Sequence, residues 1–149
     1  KLDCYRTAGV EEKLPLMVDE HGGGWIYGDK ELNKNYCRHL AAKGYGVAGM
    51  SYRIVPEVTL GEQVKDVLAA LNFIAEKAGE WGAETKGVML TGDSAGGHLS
   101  SLALCICLDK ELSELYGVTP PPTEFCSLVI SHPVCEVPSI CRVQALQSP

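Results

Sequence analysis

No run of this 149-residue chain reaches the roughly 18 uninterrupted apolar residues that a membrane-spanning helix needs. Positive charge is scarce. Thirteen lysines and arginines stand against 19 acids, for a net charge of −6, which argues against a nucleic-acid partner. No glycine run continues into G-K-[ST] and no G-x-G-x-x-G opens a helix, so no nucleotide site is expected. Seven cysteines are present (Cys4, Cys37, Cys105, Cys107, Cys126, Cys135 and Cys141), but no C-x-x-C pair and no zinc-ligand spacing. Neither a metal nor a cofactor is therefore expected. The count is odd, and Cys105 and Cys107 lie inside an apolar stretch where thiols act as small hydrophobes. The set reads as reduced and structural, which points to the cytoplasm; a disulfide framework is the alternative. Lys1 to Arg6 holds neither an apolar signal-peptide core nor an initiating Met.

What is present is an ordinary globular balance. The chain is 46% hydrophobic and 21% charged, enough to fill one core. Leu2 to Tyr5 reads as the tail of a strand and Leu14 to Val18 as a buried strand. Lys30 to Lys43 reads as a helix with Leu32, Tyr36 and Leu40 on one side, and Tyr45 to Tyr52 as the next strand. Leu60, Val64, Val67, Leu68, Leu71, Ile74, Ala75 and Ala78 share one helical face. Gly87 to Thr91 predicts a strand, Ala95 to Tyr116 one helix that is buried all round up to Leu108, and Phe125 to Ser131 a last strand. Strand–helix alternation of this kind predicts an α/β fold: a doubly wound, mostly parallel sheet with helices on both faces. Ligands of such sheets sit at the carboxyl ends of the strands.

Two motifs fall at such ends. Gly92-Asp93-Ser94-Ala95-Gly96 fits G-x-S-x-G between a strand and a helix, the context of a nucleophile elbow. The tight turn lifts the Ser94 hydroxyl, and the N–H of Ala95 is placed to stabilise an oxyanion. Gly97 and His98 complete that stretch. Upstream, His21-Gly22-Gly23-Gly24-Trp25 follows the second strand, and its glycines let backbone N–H groups approach a ligand closely. Asp19-Glu20 precede it. Two acids at a strand end raise a metal reading, but the spacing to His21 makes no recognised ligand set.

Together the two motifs resemble the hormone-sensitive-lipase-like esterases of the α/β-hydrolase fold. Ser51-Tyr52-Arg53-Ile54-Val55-Pro56-Glu57 is similar to that family's Y-R-L-x-P-E segment, with Ile54 in place of Leu. The resemblance implies that Ser94 is acylated by small carboxylic esters, often short-chain ones. It implies that Gly23, Gly24 and Ala95 form the oxyanion hole with Gly22 supporting the turn. His21 would brace the loop, while Trp25, Gly92, Asp93, Gly96 and Gly97 support the motifs.

The family also carries a catalytic acid and then a histidine after the serine. After Ser94 the only aspartate is Asp109, 15 residues on. Along a helix that is roughly 20 Å, too far for a triad. His98 lies one turn below the elbow and is expected to pack or hydrogen-bond there. His132 reads as a strand-end histidine, and Glu124 and Glu136 are acids in principle only. The chain is therefore expected to be a partial α/β-hydrolase domain, lacking N-terminal strands or a cap and the C-terminal strands with acid and base, and nearly inactive alone. Phe125 to Ser131 would leave an open apolar edge, suited to aggregation or to pairing with a second copy. The alternatives are a non-catalytic binding protein on the same fold, or an amidase or peptidase.

Overall fold

The computed structural model describes residues 1–132. Five strands form one sheet: β1 (Leu2–Tyr5), β2 (Leu16–Glu20), β3 (Gly46–Met50), β4 (Lys86–Asp93) and β5 (Glu124–Ser131). Their spatial order is β1-β3-β2-β4-β5. β1 runs antiparallel to β3, and the other pairs are parallel. Four helices connect them: α1 (Lys34–Ala42), α2 (Leu60–Lys77), α3 (Ala95–Leu108) and α4 (Lys110–Tyr116).

The side chains of the central strands alternate between two apolar layers. Leu16, Val18, Ala48, Met50, Val88 and Leu90 join the large core beneath α2 and α3. Met17 and Val47 face the other way, against Cys37 and Ala41 of α1. A pleated strand buried on both faces produces this split. The α/β class and the doubly wound, mostly parallel sheet stand as expected.

α2 follows its sequence period closely: Val64, Val67, Leu68, Leu71 and Ile74 are buried. Leu60, in its first turn, stays 40% exposed. The start of α2 is fixed by a capping box, in which Thr59 accepts from the Glu62 N–H and Glu62 accepts from the Thr59 N–H. Leu68→Ala in this helix is expected to lower unfolding free energy by about 2–5 kcal/mol in a urea titration, because it opens a cavity in a closed core. Leu115→Ala, at a side chain that is 78% exposed, serves as the near-neutral control.

Four expectations need correction. α1 starts at Lys34, not Lys30, because Asp29 accepts from the Glu31 N–H and holds a separate turn ahead of the helix. The buried side of α1 is accordingly Cys37 and Ala41, while Leu32 and Tyr36 are exposed. The single helix expected from Ala95 to Tyr116 is two. Asp109 turns extended (φ −122°, ψ 117°), and its carboxylate accepts from the Leu112 N–H to cap α4. α3 is fully buried along one side and half-buried on the other up to Cys107, and Leu108 is largely exposed.

The cysteines differ as well. Cys4, Cys37, Cys107 and Cys126 are free thiols, but Cys105 is disulfide-bonded. Residues two apart on a helix point to opposite sides. Cys107 packs toward the large core. The argument for a reducing compartment from seven thiols therefore falls away. Among the described residues no helix is long and apolar enough to cross a membrane, and β5 has a strand on one side only.

Candidate active site

β4 ends at Asp93 and α3 begins at Ala95, so Ser94 makes the whole turn. Its backbone adopts φ 49°, ψ −118°, a conformation that costs an L-residue about 1–3 kcal/mol. Packing on both sides enforces it. A Cβ at Gly92 would lie 2.7 Å from the Gly96 carbonyl carbon, and one at Gly96 would overlap the Glu20 carbonyl and lie 2.6 Å from the His21 oxygen. Ser94 donates its N–H to the Ser131 carbonyl of β5 at 3.0 Å and accepts from the His98 N–H at 3.1 Å.

The glycine loop leaves β2 directly beside this turn, because β2 and β4 are neighbours in the sheet. Gly22 donates its N–H to Asp93 Oδ1 at 2.9 Å, and a Cβ there would overlap the Asp93 carboxylate. Gly23, Gly24 and Trp25 all have positive φ (123°, 60° and 67°), a path that side chains strongly disfavour. The Gly23 carbonyl accepts from Ile26 and Tyr27, and the Trp25 carbonyl accepts from the Val55 N–H at 2.9 Å and Gln63 Nε2 at 2.8 Å. The N–H groups of Gly23, Gly24 and Ala95 meet no hydrogen-bond partner among the described residues. Gly22, by contrast, is committed to Asp93. Both motifs thus meet at one place, with three donors unspent.

His21 is fully buried. Its ring stacks on Tyr52 at 4.4 Å, its Nδ1–H donates to the Gly22 carbonyl, and the Tyr52 hydroxyl donates to the His21 carbonyl at 2.8 Å. Burial lowers its pKa, so the ring is neutral. Arg53, next in that segment, forms a bidentate pair with Asp66 of α2.

Asp93 carries a second bond, from Asn33 Nδ2 at 2.8 Å, and the same amide reaches Asp19 Oδ1 at 3.3 Å. Burial pushes the Asp19 carboxyl up to about 6. The sequence drew notice to Asp19 and Glu20 only as possible ligands, and to Asn33 not at all. Among the described residues no cluster of His, Cys, Asp and Glu suits a metal ion. Asp93→Ala removes the acceptor of both bonds. It is expected to cost about 1–3 kcal/mol and to speed amide exchange at Gly22, and Asp93→Asn, which keeps an acceptor oxygen, should recover part of both.

None of the remaining candidates has a side-chain hydrogen bond to Ser94 among the described residues. The His98 ring meets Trp25 edge-on at 5.5 Å, its buried Nδ1 has no partner among the described residues, and burial lowers its pKa. His132 follows Ser131, is exposed and has φ 49°. Glu124 pairs with Lys86 at the opposite end of the sheet, roughly 23 Å of strand from the elbow. Asp109 caps α4. Glu136 lies outside the described residues. A surface cleft of about 930 Å³, bounded by Leu2, Ile54, Ala70, Phe73 and Trp81, touches neither Ser94 nor Gly23.

Residues 2–121 match the family model described as BD-FAE. Lipase 2 of Moraxella sp. (strain TA144) is 39% identical over 105 residues, covering 66% of this chain and 24% of the lipase. The carboxylic ester hydrolase LipN of Mycobacterium tuberculosis is 38% identical over 118 residues, 78% of this chain and 31% of LipN. Among solved structures, esterase B from Lactobacillus rhamnosis with a tributyrin phosphonate superposes with a TM-score of 0.86 at 44% identity, over 89% of this chain and 43% of that one. The chain thus spans about a quarter to a third of these curated relatives.

Proposed function

Because the chain belongs to the BD-FAE family and carries an α/β-hydrolase fold, we propose that it is the nucleophile-bearing part of a serine carboxylic ester hydrolase. The observation that carries this reading is the strained backbone of Ser94 (φ 49°) set against the unspent N–H groups of the glycine loop. A purely binding role has no use for a serine held at such cost. The hormone-sensitive-lipase-like motifs, quoted above, agree with it.

In this mechanism Ser94 Oγ attacks the ester carbonyl and gives its proton to a histidine. Gly23, Gly24 and Ala95 donate to the oxyanion of the tetrahedral intermediate, where each such bond is worth about 3 kcal/mol. Collapse breaks the C–O bond, and the alcohol leaves with the histidine's proton. Water then adds to the acyl-Ser94 ester and releases the acid. No cofactor enters these steps. Among the described residues the His98 N–H bonds only the Ser94 carbonyl and no imidazole is hydrogen-bonded to the Ser94 hydroxyl, so in this reading the base and its carboxylate partner lie outside residues 1–132. Without them the hydroxyl is a weak nucleophile, and the chain alone is close to inactive. Short-chain esters are the proposed substrates.

The test is hydrolysis of a short-chain aryl ester by the protein extended at both ends, with mass-spectrometric detection of a fluorophosphonate adduct on Ser94. An extended protein that folds yet neither hydrolyses the ester nor takes the label overturns the reading.

A further inference from the structure

Glu20, the last residue of β2, is fully buried, and nothing in the ester mechanism uses it. Its Oε2 meets the hydroxyl of Ser100, in the second turn of α3. The same hydroxyl lies 2.9 Å from the Gly96 carbonyl. Glu20 Oε1 is buried without a partner.

The protons have to be counted. Ser100 has one hydroxyl proton and an ionised carboxylate has none. With Glu20 ionised, two acceptors compete for that proton, and a buried anionic oxygen stays bare. With Glu20 protonated, its O–H donates to Ser100 Oγ, and Ser100 donates to the Gly96 carbonyl. Only the carbonyl oxygen of a neutral acid is then unpartnered, which costs far less than a bare charge.

We propose that Glu20 is a positioning residue, a neutral carboxylic acid whose proton links β2, and so the glycine loop that follows it, through Ser100 to the elbow helix. The two halves of the oxyanion site sit on different elements, and this bond chain (Glu20 to Ser100 to Gly96) ties one to the other within two residues of Ser94. Its role in positioning rests on the ester-hydrolase reading; its protonation does not. Burial raises the pKa of Glu20 well above the ordinary range; the Ser100 hydrogen bond opposes this in part, and Asp19 beside it adds to the rise. The other titratable groups beside it are His21, next in the chain, and Tyr52 after β3. Tyr52 is itself raised by burial, Asp93 and Glu20.

The experiment is infrared difference spectroscopy on the chain itself, wild type against Glu20→Gln, at pH 8. Wild type should show the C=O stretch of a protonated carboxyl that the Gln variant lacks, and Ser100→Ala should move that band upward by removing its acceptor. Linkage gives a second readout. A folded pKa above the unfolded one means that stability is whole below the ordinary glutamate pKa and is lost as pH rises toward the folded value. The melting temperature of Glu20→Gln should therefore climb relative to wild type as pH increases. In a third readout, Glu20→Gln, which still donates, should keep slow amide exchange in the glycine loop, while Glu20→Leu should speed it. A carboxylate band at pH 8 with no acid band, or equal pH dependence of melting in both proteins, overturns the proposal; these readouts stand even where Glu20→Leu does not fold. If the acid band is present and Ser94 proves unreactive in the extended protein, the ester reading fails and the protonation stands. If Ser94 reacts and the band is missing, only this inference fails.

Discussion

Ser94→Ala is expected to lower ester hydrolysis by the extended protein by about 10⁴- to 10⁶-fold and to abolish fluorophosphonate labelling, with almost no change in stability. The loss in rate follows from chemistry. No other described hydroxyl sits at the mouth of the glycine loop on a turn of this shape, and the donors of Gly23, Gly24 and Ala95 retain only their share of binding. The small change in stability follows from the structure. Ser94 makes its hydrogen bonds to described residues through its backbone, to Ser131 and from His98, and alanine keeps both. Such a substitution costs within about 0.5 kcal/mol. Ser94→Gly separates the two effects further. Glycine accepts a φ of 49° without penalty, so this variant should be about 1 kcal/mol more stable than wild type and equally inactive. Retained turnover in both variants would falsify the assignment of Ser94. A Ser94→Gly protein less stable than Ser94→Ala would show that the turn is not strained.

Gly96→Ala carries the largest expected effect on folding. The new methyl group would overlap the Glu20 carbonyl and come within 2.6 Å of the His21 oxygen. Both are backbone atoms at the end of a strand hydrogen-bonded on both sides, so neither has room to yield. The elbow helix must lift off β2 instead, which costs about 3 kcal/mol or more. Gly97→Ala overlaps Ile130 Cγ2 and comes within 3.1 Å of the Gly92 oxygen; one of these is a side chain on the edge strand rather than backbone, so the cost should be smaller, though Ile130 is stiff at χ1. Gly61→Ala, in the first turn of α2 with nothing nearer than Thr59 Oγ1 at 4.0 Å, should be neutral or stabilising. The order Gly96, then Gly97, then Gly61 in urea midpoints checks the argument. A Gly96→Ala protein as stable as wild type would mean that the elbow and β2 are not in contact.

The parts of this molecule legible from sequence are those written in local pattern. The 3.6-residue period from Val64 to Ile74 gave α2, and two glycine clusters at strand ends marked the place where Gly22 and Asp93 are hydrogen-bonded. The parts that were not legible depend on residues far apart in the chain. Asn33 reads as one polar residue near a helix start, and its bonds to Asp93 and Asp19 exist only because three elements converge. Burial of Glu20 against Ser100 spans 80 positions. Asp109 stands between the apolar run ending at Leu108 and a polar stretch that also suits a helix, so the break between α3 and α4 shows only in its capping bond. The bridge at Cys105 has no local signature, since an apolar helix suits a thiol and a disulfide equally.

The strand order has a further outcome for access to Ser94. From β2 the chain winds outward to β3 by way of α1, on one side of the sheet. It then returns across to β4 and leaves by α3, which packs on the opposite side. The winding direction therefore reverses between β2 and β4, and the two departing segments diverge, leaving a natural crevice above the seam where they part. Ser94, at the carboxyl end of β4, stands on that seam.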